Sequence, residues 1–171
     1  SMSSSSSSVE KGPVWSLGGE TLEVPLSLFQ ENRDRLVARL RAHPGLAGKR
    51  AIVLLQGGEQ GHLYDTDVEP VFRQESFFHW LFGVREPDFL GALDVESGAA
   101  TLFAPVLDPS YEVWCGALKG PEEIRQQYLV QEVVMVDQEQ PGLPELGAWL
   151  EDRKQQAVFL TLRGVNSDSG R

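Results

Sequence analysis

Cysteine is all but missing. The single Cys115 among 171 residues excludes an internal disulfide framework and any zinc site built on thiolates, and it fits a reducing compartment. Histidine is nearly as scarce, with His43, His62 and His79 alone, and none lies beside Cys115 to activate it. No Gly-x-Ser-x-Gly elbow occurs. Positive charge is in deficit: 15 Lys and Arg face 25 Asp and Glu, for a net charge of −10 and a sequence pI of about 4.7. That balance argues against a nucleic-acid backbone, which needs clustered cations, and equally against an anionic membrane surface. No apolar run approaches the roughly 20 residues that span a bilayer. The N-terminus has no basic flank leading into an apolar stretch, so it has no secretory-signal pattern. These absences together predict a soluble, cytoplasmic protein without nucleic-acid or membrane partners.

What is present is enough for one domain with a real core. Residues 1–12 form a serine-rich, disordered tail in which Ser1 before Met2 has the form of a tag-cleavage scar. Residues 13–163 form the domain proper, and 164–171 read as the start of a linker. Leu22, Val24 and Leu26 alternate as a short extended lead-in. A helix follows, opened by Pro25, with Phe29, Leu36, Val37 and Leu40 on its apolar stripe and Glu31, Arg33, Asp34, Arg35, Arg39 and Arg41 on its polar face; Pro44-Gly45 stops it. Ala51–Leu55 is a continuous apolar run of strand length, expected to be covered on both faces.

Phe89–Val95 and Thr101–Val106 flank a glycine-containing loop and read as a hairpin. Then come a helix over Pro121–Leu129, a strand over Glu132–Val136, a helix over Leu143–Lys154 and a strand over Ala157–Leu162. Helices alternating with apolar strands predict an α/β fold, and the hairpin makes its sheet mixed rather than wholly parallel.

The densest stretch is Val71–Val84, VFRQESFFHWLFGV. It gathers Phe72, Phe77, Phe78, Trp80 and Phe82 around Arg73, Glu75 and His79. So much aromatic area predicts the heart of a core, with Arg73 and His79 as residues that could touch a ligand at its edge. Gly57-Gly58-Glu59-Gln60-Gly61 follows a strand but lacks the Lys-Ser/Thr of a phosphate loop, so its glycines are expected to serve a sharp turn. His62, Asp65, Asp67 and Glu69 do not fit calcium-loop spacing and read as solvated charge. Trp114 follows a strand ended by proline, where a loop tryptophan marks either packing or contact with a ligand or partner. No metal ligand set and no catalytic residue is found in the chain.

Leu54-Leu55-Gln56-Gly57-Gly58, Phe72 through Trp80 with Phe82-Gly83-Val84, and Leu160 through Gly170 together resemble the N-terminal domain of the prolidases, the Xaa-Pro dipeptidases. Arg73, Ser76, Phe78 and Gly83 more loosely resemble a pattern shared with the N-terminal domains of aminopeptidase P and creatinase. The match is looser at 62–68 and 121–144, and the serine-rich start has no counterpart.

The resemblance implies a mixed β-sheet flanked by helices of the creatinase/aminopeptidase P N-terminal type. It also implies a homodimeric parent that hydrolyses dipeptides with C-terminal proline or hydroxyproline. The catalytic domain, with two manganese ions, would then begin beyond Arg171. In such enzymes the N-terminal domain dimerises and caps the neighbouring subunit's cleft, and Trp114 resembles the loop tryptophan that reaches across. A domain of this kind is inactive alone. Two other readings remain open at this stage: a stand-alone binding or dimerisation module without peptidase activity, and a parent with aminopeptidase P or creatinase chemistry.

Overall fold

Continuous apolar runs along the strands, covered on both faces, explain the architecture of the computed structural model, which describes residues 14–15, 24–59, 72–107, 118–137, 143–154 and 157–162. The tail at 1–12 and the linker at 164–171 lie outside them. Strands β1 (Val14–Trp15) and β2 (Val24–Pro25) form a small antiparallel ribbon. Pro25 belongs to this ribbon, so helix α1 starts two residues later and spans Ser27–Arg41. Pro44 holds His43 in an extended conformation, which ends the helix ahead of a short 3-10 turn at Pro44–Leu46.

The main sheet contains β3 (Arg50–Gln56), β4 (Leu90–Asp94), β5 (Ala100–Pro105), β6 (Glu132–Val136) and β7 (Ala157–Leu160) in the order β6-β5-β4-β3-β7. The β3/β4 and β4/β5 pairs are antiparallel, whereas β5/β6 and β3/β7 are parallel. The expected mixed sheet is therefore present. Its hairpin is closed by Asp94, whose Oδ1 accepts from the backbone of Glu96 and Ser97 at 2.8 and 3.2 Å, and Gly98 supplies the positive φ of 77° that the turn needs.

Period-two alternation sends Ala51, Val53 and Leu55 of β3 to one face and Ile52 and Leu54 to the other. The first face carries the larger core, under α1, α2 (Ser76–Phe82) and α3 (Pro121–Tyr128). On the second face α4 (Pro144–Arg153) lays Trp149 edge-on against Phe103, with ring centroids 5.3 Å apart. Trp149 Nε1 and Thr101 Oγ1 both donate to Glu132, tying α4 to two strands. Helices thus cover both faces of the sheet.

Candidate functional site

The aromatic stretch folds as α2, and helical geometry divides its rings. Phe78, Leu81 and Phe82 stand three and four residues apart and are buried, with Phe78 and Phe82 centroids at 5.1 Å. Phe77 and Trp80 fall on the opposite side, 57% and 43% exposed. Only half of the segment therefore lies at the heart of the core, because a helix packed on a sheet can bury only one stripe.

Both ends of α2 are fixed by side chains. At its start the Glu75 carboxylate accepts from the backbone N–H of Phe77 and Phe78 at 3.0 and 2.6 Å, an N-cap that suits the positive end of the helix dipole. At its end Gly83 adopts φ +69°, and a Cβ there would sit 2.5 Å from the Phe29 ring. Asn32 Nδ2 donates to Trp80 O at 2.9 Å. Arg33 donates to Leu81 O at 2.9 Å and to Leu129 O at 2.7 Å, so one guanidinium joins the C-termini of α2 and α3.

Arg33 is 2% exposed, which corrects its expected place on the polar face of α1. Burial pushes its guanidinium down to about 10, partly opposed by Asp34, and leaves it charged at neutral pH. The signal was in the spacing: Asn32 and Arg33 fill the i+3 and i+4 gap between Phe29 and Leu36 on the buried stripe.

Gln74 organises the approach to the helix. Its Oε1 accepts from Gly58 N and Glu75 N, and its Nε2 donates to Glu86 O at 2.9 Å. Gly57 and Gly58 have ordinary φ values, so the expected sharp turn is not their reason. A Cβ on Gly57 would lie 2.8 Å from Phe89 O, and one on Gly58 3.0 Å from Arg73 O. Close approach of backbones, rather than a phosphate or a bend, selects glycine here.

Glu86 in turn accepts from Tyr128 Oη and from Lys119 Nζ, the latter at 3.1 Å. Burial pushes the Glu86 carboxyl up, but the Tyr128 and Lys119 hydrogen bonds outweigh it and hold the group below the usual glutamate range. Burial and that carboxylate together push the Tyr128 hydroxyl well up.

A cleft of about 710 Å³ opens beside this assembly, with Leu28, Phe72, Arg73, His79, Trp80 and Arg85 among its lining residues. The structure thus brings the two sequence-nominated residues Arg73 and His79 to one cavity. His79 stands edge-on to Phe29 at 5.7 Å, with Nδ1 3.3 Å from Val84 O. Among the described lining residues charge comes from arginine, and none is acidic. Such a surface can take an apolar group together with a carboxylate. Trp114, Cys115, His62, Asp65, Asp67 and Glu69 lie outside the described residues. Among the described residues no group of three or more His, Cys, Asp or Glu gathers.

A family model described as aminopeptidase P, N-terminal domain, matches residues 29–158. The chain is 48% identical over 159 residues to the Xaa-Pro dipeptidase of Homo sapiens, covering 93% of this chain and 30% of that protein. To the Xaa-Pro dipeptidase of Rattus norvegicus it is 47% identical over 158 residues, covering 92% and 30%. The chain therefore spans about 30% of the length of these relatives. Among solved structures, an aminopeptidase P of Bacillus anthracis superimposes with a TM-score of 0.63 at 22% identity, over 85% of this chain and 32% of the other. A variant of Escherichia coli aminopeptidase P in complex with substrate gives 0.52 at 25% identity, over 64% and 24%.

Proposed function

Because this chain belongs to the family of aminopeptidase P N-terminal domains, we propose that it is the non-catalytic N-terminal domain of an Xaa-Pro dipeptidase acting on dipeptides with C-terminal proline or hydroxyproline. The observation that carries the reading is 48% identity along 93% of the chain to a dipeptidase of which it spans 30%. Hydrolysis then belongs to the remainder of the parent, where two manganese ions would supply an activated water. The described residues gather no ligand set for such ions, and no step through them is assigned to this chain.

The domain's contribution is to pair two subunits and to cover the neighbouring cleft, with Trp114 reaching across to exclude water and limit substrate length. The parent would act in the cytoplasm. The acidic balance and single cysteine support that location, and no described helix is long and apolar enough to cross a membrane.

Assay of Gly-Pro hydrolysis tests this directly. The purified 171-residue chain should give no turnover with or without Mn²⁺, whereas the full-length parent should hydrolyse the dipeptide. Turnover that stays with the chain through further purification would overturn the reading. In the parent, Trp114→Ala should lower kcat/KM about tenfold, on the order of 1.4 kcal/mol, with metal content unchanged. Wild-type kinetics would assign Trp114 to packing alone.

A further inference from the structure

Several chain segments meet at one end of the sheet. β3 and β5 both run antiparallel to β4, with Gln56 and Phe103 each opposite Leu90, so β3 and β5 finish at the end where β4 begins. Gly57-Gly58 leaves β3 there, residues 83–89 enter β4 there, and the path from β5 to α3 sets out there. Two backbone bonds of 2.8 Å, Gly57 N to Phe89 O and Asp88 N to Gly58 O, join the first two of these segments.

Glu86 ties the third segment to them. Its backbone carbonyl accepts from Gln74 Nε2 at 2.9 Å, and Gln74 Oε1 holds Gly58 N. Its carboxylate accepts from Tyr128 Oη of α3 and, at 3.1 Å, from Lys119 Nζ. The Lys119 and Glu86 side chains are 48% and 39% exposed, and an ion pair so placed adds little to stability. Its consequence is positional: the backbone bonds and Tyr128 hold the carboxylate where it is, so the lysine meets a partner already in place. Lys119 stands five residues after Trp114 and two before Pro121, where α3 begins. Among the described residues it is the one nearest Trp114 in sequence whose side chain is tied to the domain by a hydrogen bond. The tie on the other side is more distant, Val106 N donating to Val136 O at 2.9 Å, eight residues ahead of Trp114.

We propose that Glu86 is a positioning residue for the parent's dipeptidase reaction: by holding Lys119 it fixes where the chain between β5 and α3 rejoins the domain, and so the point from which Trp114 reaches the neighbouring cleft. The inference rests on the functional reading above, in that it takes Trp114 to cap that cleft. Glu86 touches neither substrate nor metal in this role and acts through Lys119 alone. An exposed lysine on a fixed carboxylate suits the task, because it sets the direction of the chain without enlarging the core.

Steady-state hydrolysis of Gly-Pro by the full-length parent tests the assignment through a double-mutant cycle. Lys119→Met should lower kcat/KM about fivefold, on the order of 1 kcal/mol, which is near the most that an exposed pair contributes. Glu86→Gln keeps an acceptor for Tyr128 but offers no charge to Lys119, and should lower kcat/KM at least as far. Lys119→Arg should keep most of the wild-type value, since a guanidinium still meets the carboxylate. Placed in a Trp114→Ala parent, Lys119→Met should change nothing further, which a general effect on folding would not produce. Equal losses in the two backgrounds overturn the proposal, and so does a Lys119→Met parent with wild-type kinetics. In both of those cases an impaired Trp114→Ala parent leaves the capping reading standing, whereas a Trp114→Ala parent with wild-type kinetics removes that reading and the proposal together.

Discussion

Replacing Arg33 with methionine keeps most of the buried stem and removes the guanidinium that joins the ends of α2 and α3. Two hydrogen bonds disappear, to Leu81 O at 2.9 Å and Leu129 O at 2.7 Å. Bonds from a charged donor contribute about 1.5–3 kcal/mol each, so the gross loss is about 3–6 kcal/mol. Against this stands the burial of the charge, which lowers the guanidinium from 12.5 to about 10 and so opposes folding by about 3 kcal/mol.

The balance is about 0–3 kcal/mol in favour of the bonds, and from the middle of that range Arg33→Met should destabilise the domain by about 1–2 kcal/mol. At about 2–4 °C per kcal/mol for a domain of this size, thermal unfolding followed by circular dichroism should show a drop of roughly 2–8 °C. Arg33→Ala, which also removes the apolar stem that carries the guanidinium to 6.0 Å from the centre of the Phe82 ring, should lose about 2 kcal/mol more. Hydrogen exchange of the α2 amides should quicken in both variants. A methionine variant that melts at or above the wild-type temperature would refute the reasoning. It would mean that burying the charge outweighs both bonds and that packing alone holds the helix ends.

Two further perturbations test the sheet. Gly91 lies in β4 with no positive φ, and a Cβ there would meet the Phe82 ring at 2.5 Å; Gly91→Ala should therefore cost about 1–3 kcal/mol by overpacking, and a wild-type urea midpoint would show that Phe82 can move aside. Asp94 pairs with Arg50 at 2.6 Å, and although burial pushes its carboxyl up, Arg50 and the hairpin amides hold it below the usual 3.8. Its contribution is thus complete above about pH 4 and fades as pH falls through the lower folded value. Asp94→Asn should be less stable than wild type at pH 7 and converge with it in acid. A stability gap independent of pH would assign the effect to packing.

Much of the fold is legible because local signals and burial agree. The continuous apolar run of β3, the glycine hairpin and the strand at Glu132–Val136 all emerge where the sequence places them. The candidate site is less legible, for a physical reason. Aromatic density in Val71–Val84 reports how much apolar area exists, but the helical period decides which rings are buried, and it leaves Phe77 and Trp80 outside. Charge misleads in the same way at Arg33, where two backbone carbonyls distant in sequence make burial possible. Gly57 and Gly58 look like turn residues, yet the contacts that require them come from Phe72, Arg73 and Phe89, and nothing local to the pair announces those.

The pairing of β7 with β3 has a consequence for synthesis. More than 100 residues separate Arg50 from Ala157, yet they are register partners, so the sheet stays incomplete until nearly all of the domain has left the ribosome. Until then β3 presents an open edge rich in Ile, Val and Leu, the kind of template that recruits other strands. A chain cut short before Ala157 would keep most of its core residues and still carry that edge. The last strand, small as it is, closes the side of the domain most exposed to aggregation during birth.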